Sequence, residues 1–95
     1  MAAFAVICID KENSLTLRAD TRETHLAYLR ARPEVVRLAG PFMDAAGQSV
    51  GSLLLIEVED QAAAEAFAAA DPYAQAGLFA SVEVKPWRAV IGQLP

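Results

Sequence analysis

Two stretches decide the fold: AFAVICID at residues 3–10 and GSLLLIEVE at residues 51–59. Each is dominated by large apolar or β-branched side chains and is too short for a stable helix, so each reads as a strand. Strand side chains alternate between the two faces of a sheet. In the first stretch Phe4, Val6 and Cys8 fall on one face, and Ala5, Ile7 and Ile9 on the other. Apolar residues on both faces mark a strand buried on both sides.

The segments around these strands alternate in type. TRETHLAYLRAR reads as a helix with Leu26 and Leu29 as its inner stripe, Asp20 or Thr21 as its expected N-cap and Pro33 as its stop. VVRLAGPFM (35–43) reads as a strand interrupted at Gly40-Pro41, and DAAGQ (44–48) as a turn. Asp60 is positioned to cap a second helix, QAAAEAFAAA, whose alanine surface lets the backbone lie close against a sheet. Asp71-Pro72 has the form of an N-cap followed by proline at the first helical position, and Gly77 is placed to close a one-turn helix. FASVEVKPW (79–87) alternates as a last strand, and RAVIG follows as an extended or partner-binding tail.

The order is therefore βαββαβ, an α+β, ferredoxin-like protomer with a four-stranded antiparallel sheet, expected to fill residues 1–95 as one domain. The prolines support this independently, because proline inside a strand belongs at a sheet edge or a bulge. Pro41 falls in the second strand and Pro86 in the fourth, the two edges of the usual 4-1-3-2 order. Helices cover only one face of such a sheet. The apolar side chains on the other face are expected to form an interface, and we expect a homodimer through that open face.

Composition narrows the function classes. Eight basic and twelve acidic residues give a net charge of −4, and the basic residues are scattered, which argues against a nucleic-acid partner. The apolar fraction of 55% includes 20 alanines, and no apolar run is long enough for a membrane span. The first residues lack the basic leading region of a signal peptide, so a cytoplasmic location is expected. Cys8 is the only cysteine, which rules out an internal disulfide and a cysteine-based zinc site. No cofactor motif is present and no metal site is expected.

His25 is the only histidine, and histidine can act as an acid or base near neutral pH. From the residues alone it is either a solvated helix histidine or a general base. A base would need an acceptor to hold its tautomer, and the spacing does not show that Asp71 reaches it. Ser52 opens the third strand without a nucleophile motif around it, and Tyr73, Phe79 and Trp87 read most simply as core or interface residues.

Taken together, the motifs resemble the YciI-like, or YCII-related, family from end to end. The matching elements are Arg22-x-x-His25-Leu26, Leu38-Ala39-Gly40-Pro41, Gly51-Ser52 with its apolar strand, Asp71-Pro72-Tyr73-x-x-Ala76-Gly77 and Val84-Lys85-Pro86-Trp87. The DPYxxAG run is the most specific. The resemblance implies a dimeric α+β barrel and an active site around a His–Asp dyad, here His25 and Asp71. It places Arg22 and Ser52 at the border of that pocket, and we take Tyr73 with them as substrate-binding. One family relative is associated with dehydrochlorination of a chlorinated hydroxyquinol. The connection at 44–50 is short here, whereas relatives can carry a longer loop; where that loop covers the pocket, substrate range does not transfer.

The expected function is a small, cofactor-independent enzyme of lyase or isomerase type. His25 would move a proton on a small cyclic or phenolic molecule, and Asp71 would orient its ring. The alternative is a non-catalytic dimeric module that binds a small ligand or regulates a partner.

Overall fold

The structure, a computed structural model, describes residues 1–95. It runs β1 (Ala2–Asp10), α1 (Leu15–Arg30), β2 (Val36–Met43), β3 (Ser49–Val58), α2 (Gln61–Ala69), α3 (Pro72–Gln75) and β4 (Phe79–Pro86). The sheet order is β2-β3-β1-β4 with every neighbouring pair antiparallel, so the two doubly apolar strands are central, as their sequence predicts.

Register sorts the side chains between faces. Phe4 lies opposite Ile56, Val6 opposite Leu54 and Cys8 opposite Ser52, all on the helix-covered face. These residues, except Ser52, join Val58, Leu29, Val35, Ala64, Phe67 and Ala68 in one core. Ala64 is fully buried, which reflects the close approach that the alanine surface of α2 permits. The outer face carries Ile7, Leu53, Leu55, Leu38 and Phe42, which register places together across β1, β3 and β2. Leu38 and Ile9 are about half exposed there.

Two local expectations are corrected. The strand through Gly40-Pro41 is continuous rather than interrupted, with register shifts only near its ends. Proline is tolerated here because β2 is an edge strand with a ladder on one side only. The first helix begins at Leu15, so Asp20 and Thr21 lie inside it rather than at its cap. Its N-cap position is Ser14, whose side chain makes no capping bond. A helix start without a side-chain cap carries a weak local signal, and the added turn contains Arg18.

The other caps form as read. Asp60 accepts the Ala63 N–H at 2.8 Å. Asp71 accepts the Tyr73 N–H at 2.9 Å, with Pro72 starting the helix. Gly77 takes φ +78°, the left-handed conformation that ends α3; Leu78 N–H then reaches back to Tyr73 O and Gly77 N–H to Ala74 O. The chain after β4 has no regular secondary structure; Trp87 N–H donates to Ala3 O, and Arg37 binds both Glu57 and the Pro95 carbonyl.

The first helix leans on α3 and is tied to α2 by the Tyr28 hydroxyl, which donates to Phe67 O at 2.8 Å. It does not lie flush on the sheet. A cavity of about 500 Å³ remains between its inner face and β2–β3, floored by Tyr73. No helix is long and apolar enough to cross a membrane.

Candidate active site

The cavity is built by four elements, with β2 closing one side through Ala39, Gly40 and Pro41. The first helix presents Arg18, Arg22 and His25 at spacings of four and three, hence along one side. The third strand contributes Ser52 and Leu54 from its inward-facing register. The short helix α3 supplies Tyr73, held just after the Asp71 cap.

Asp71 is almost fully buried, and its Oδ1 lies 2.8 Å from His25 Nδ1 as well as 2.9 Å from the Tyr73 amide. An ionised carboxylate can only accept, so the proton at this contact sits on Nδ1. Nε2 makes no hydrogen bond within the protein. Because no buried side-chain nitrogen or oxygen lacks a partner, Nε2 keeps contact with solvent, and His25 lines the cavity. An imidazole held this way can accept a proton at Nε2 and give it back.

Tyr73 is the floor against which the other groups rest. His25 stacks on its ring with centroids 3.9 Å apart and planes 19° apart. The Arg18 guanidinium carbon lies 4.6 Å from the same centroid, in cation–π range, and Phe79 meets the ring edge-on. Burial pushes the Tyr73 hydroxyl above its ordinary pKa, so it stays a neutral phenol at physiological pH.

Arg18 and Asp10 form a second polar cluster that the sequence reading missed. Arg18 Nε–H and Nη2–H donate to the two Asp10 carboxylate oxygens at 2.6 and 3.0 Å, and Nη2–H also donates to Ser52 Oγ at 2.8 Å. Burial works against the guanidinium charge, but the bidentate Asp10 carboxylate outweighs it and raises the Arg18 pKa further. A helix start at Leu15 would have exposed the signal, because Arg18 then stands one turn before Arg22 and two before His25.

The remaining expected residues separate. Ser52 is buried in the cavity wall and bonded to Arg18. Arg22 borders the cavity but is largely exposed, with only a 3.6 Å contact to Glu23. Cys8, opposite Ser52 in register, is buried. Burial first, then the nearby Asp71 and Asp10 charges, push its thiol from 9.0 to about 12, so it is a core thiol and not a nucleophile. No three or more His, Cys, Asp or Glu side chains converge on a common point.

Comparison with known proteins agrees with this architecture. The YCII-related domain model matches residues 2–88. The chain is 38% identical to the protein YciI of Escherichia coli O6:H1, over 92% of this chain and 97% of that protein. It is 37% identical to an uncharacterized Haemophilus influenzae protein over the same shares. Its fold superposes, with a TM-score of 0.85 and 32% identity, on 5-chloro-2-hydroxyhydroquinone dehydrochlorinase (TftG) from Burkholderia phenoliruptrix AC1100, solved in complex with 2,5-dihydroxybenzoquinone. That match covers 90% of this chain and 93% of the dehydrochlorinase. With the family model spanning nearly the whole chain and close relatives matched end to end, this protein belongs to the YCII-related family.

Proposed function

We propose that this protein is a small-molecule enzyme in which His25 and Asp71 act as a dyad for proton transfer on a small cyclic or phenolic substrate, in a lyase- or isomerase-type reaction. The observation that carries the reading is the 2.8 Å contact between His25 Nδ1 and the buried Asp71 carboxylate, with Nε2 left open beside a cavity of about 500 Å³. Asp71 fixes the ring and its tautomer and stabilises the imidazolium that forms when Nε2 takes a proton. Tyr73 holds the imidazole plane, Ser52 lines the wall and Arg22 stands at the mouth. The structural likeness to a dehydrochlorinase whose complex holds a dihydroxybenzoquinone supports a compact oxygenated ring as substrate. The protein is proposed to work in the cytoplasm as a homodimer joined through its outer sheet face.

The test is hydrogen exchange in deuterated solvent. Small phenols, quinones and cyclic ketones, 2,5-dihydroxybenzoquinone among them, are screened for binding, and bound molecules are followed for deuterium incorporation at carbon. Catalysed exchange that falls roughly 10²–10⁴-fold in His25→Ala supports the reading. Exchange that is absent in the wild type, or that survives His25→Ala unchanged, overturns it.

A further inference from the structure

The Arg18–Ser52 pair contains two donors without a close hydrogen bond inside the protein. Arg18 spends Nε and Nη2 on Asp10 and Ser52, whereas Nη1 makes no such bond, and the Tyr73 hydroxyl is the other polar group beside the guanidinium. Since no buried side-chain nitrogen is left unsatisfied, Nη1 must reach solvent, and the solvent space beside Arg18 is the cavity. Ser52 Oγ accepts the Nη2 proton, so its own hydroxyl proton is free to point elsewhere. Nη1 and Nη2 share one carbon, which makes the two free donors immediate neighbours.

We propose that Arg18 Nη1 and the Ser52 hydroxyl together form an oxygen-binding site that holds a carbonyl or phenol oxygen of the substrate and stabilises the charge it gains during reaction. This rests on the proton-transfer reading above and names the other half of its chemistry. A base at His25 Nε2 that removes a proton from carbon leaves an electron pair behind. In a cyclic ketone or keto tautomer that pair forms the carbon–carbon double bond, and the carbonyl π pair moves onto oxygen. The resulting enolate or phenolate oxygen is what the two donors would meet. Return of the proton from Nε2 to a different carbon completes an isomerisation, and loss of a leaving group with its bonding pair completes an elimination.

Three features of the structure suit that task. Asp10 grips the guanidinium through both oxygens, so the donors are in place before any ligand arrives and need not reorganise. The same carboxylate balances the Arg18 charge. The site therefore favours an oxygen that acquires charge in the reaction over a ligand that arrives fully charged, such as a phosphate ester. Arg18 and His25 both rest on the Tyr73 ring, at 4.6 and 3.9 Å from its centroid, and both line the same cavity, so a ligand in that cavity faces the donor and the base together.

The probe is 4-nitrophenol, whose ionisation is read directly from its absorbance. Two donors on its oxygen favour phenolate over phenol, so the bound probe should ionise at lower pH than the free probe. Ser52→Ala keeps the Arg18–Asp10 pair and should reduce the displacement; the double variant Asp10→Asn/Arg18→Gln, checked for folding by circular dichroism, should abolish it. His25→Ala should retain it. Absence of saturable binding by the wild type, or an undiminished displacement in both Ser52→Ala and the double variant, overturns the proposal. Loss of the displacement in His25→Ala alone also overturns it, because the oxygen would then sit on the histidine, and the proton-transfer reading would survive. Conversely, a displacement that behaves as expected without any carbon exchange removes the proton-transfer reading and leaves the oxygen site standing.

Discussion

His25 and Asp71, 46 residues apart in the chain, meet at 2.8 Å between Nδ1 and Oδ1, and that one carboxylate oxygen also accepts the amide of Tyr73. The helix cap and the histidine partner are thus the same atom. Removing it should do two kinds of damage at once. Loss of an N-cap costs about 1 kcal/mol, and leaving a buried imidazole without its acceptor costs about 1–3 kcal/mol more. Asp71→Ala should therefore lower stability by about 2–4 kcal/mol in urea denaturation. Asp71→Asn, which keeps an oxygen for both donors, should lose no more than about 1 kcal/mol. Equal losses in the two variants would mean that the shared oxygen is not what matters.

Alkaline stability should report the burial of Cys8. Its thiol ionises near 9.0 when free and near 12 in the fold. Below the lower value both states hold the proton and the stability is complete. Above it the unfolded chain releases the proton first, so stability falls as pH rises, by up to about 1.4 kcal/mol per pH unit, until the folded value is reached. Tyr28 and Tyr73, both raised above 10.0 mainly by burial, add the same trend at higher pH. Urea midpoints measured from about pH 8 upward should show a shallower initial decline in Cys8→Ala than in the wild type. An identical slope would contradict the assignment.

Gly51 is required by space rather than by φ. A Cβ there would lie 2.5 Å from the Cys8 carbonyl oxygen and 3.1 Å from Phe42 Cδ2. The first contact is with central-strand backbone, which cannot swing aside. Gly51→Ala should destabilise the protein by roughly 2 kcal/mol or more, visible as a drop in Tm. A melting temperature within a degree or so of the wild type would show that β1 and β3 can part without cost.

The proposed homodimer makes a mass prediction. Light scattering at micromolar concentration should return twice the 10.1 kDa of one chain. Leu38→Asp/Leu53→Asp, on the outer sheet face, should return one chain with the fold retained, since neither residue belongs to the helix-covered core. A monomeric wild type would remove the face-to-face arrangement.

What the sequence determined by itself is what short-range physics controls. Apolar residues on both faces of AFAVICID and GSLLLIEVE require central strands, and Pro41 and Pro86 require edges, so the sheet order follows from composition along each strand. Asp60 and Asp71 cap helices because their side chains reach amides two or three residues on, a contact that needs no tertiary structure. Family motifs marked His25 and Asp71 as worth joining, but nothing in their spacing could bring them together. That depended on the sheet, which sets α1 beside α3. The start of α1 was hidden for the same reason: no side-chain cap announces it, and Arg18 in its first turn is held by Asp10 of β1 and Ser52 of β3. The cavity, too, belongs to tertiary structure alone, because it exists where α1 stands off from β2 and β3. Local propensity acts between neighbours in the chain, whereas the polar groups around the cavity are neighbours only after the chain has folded.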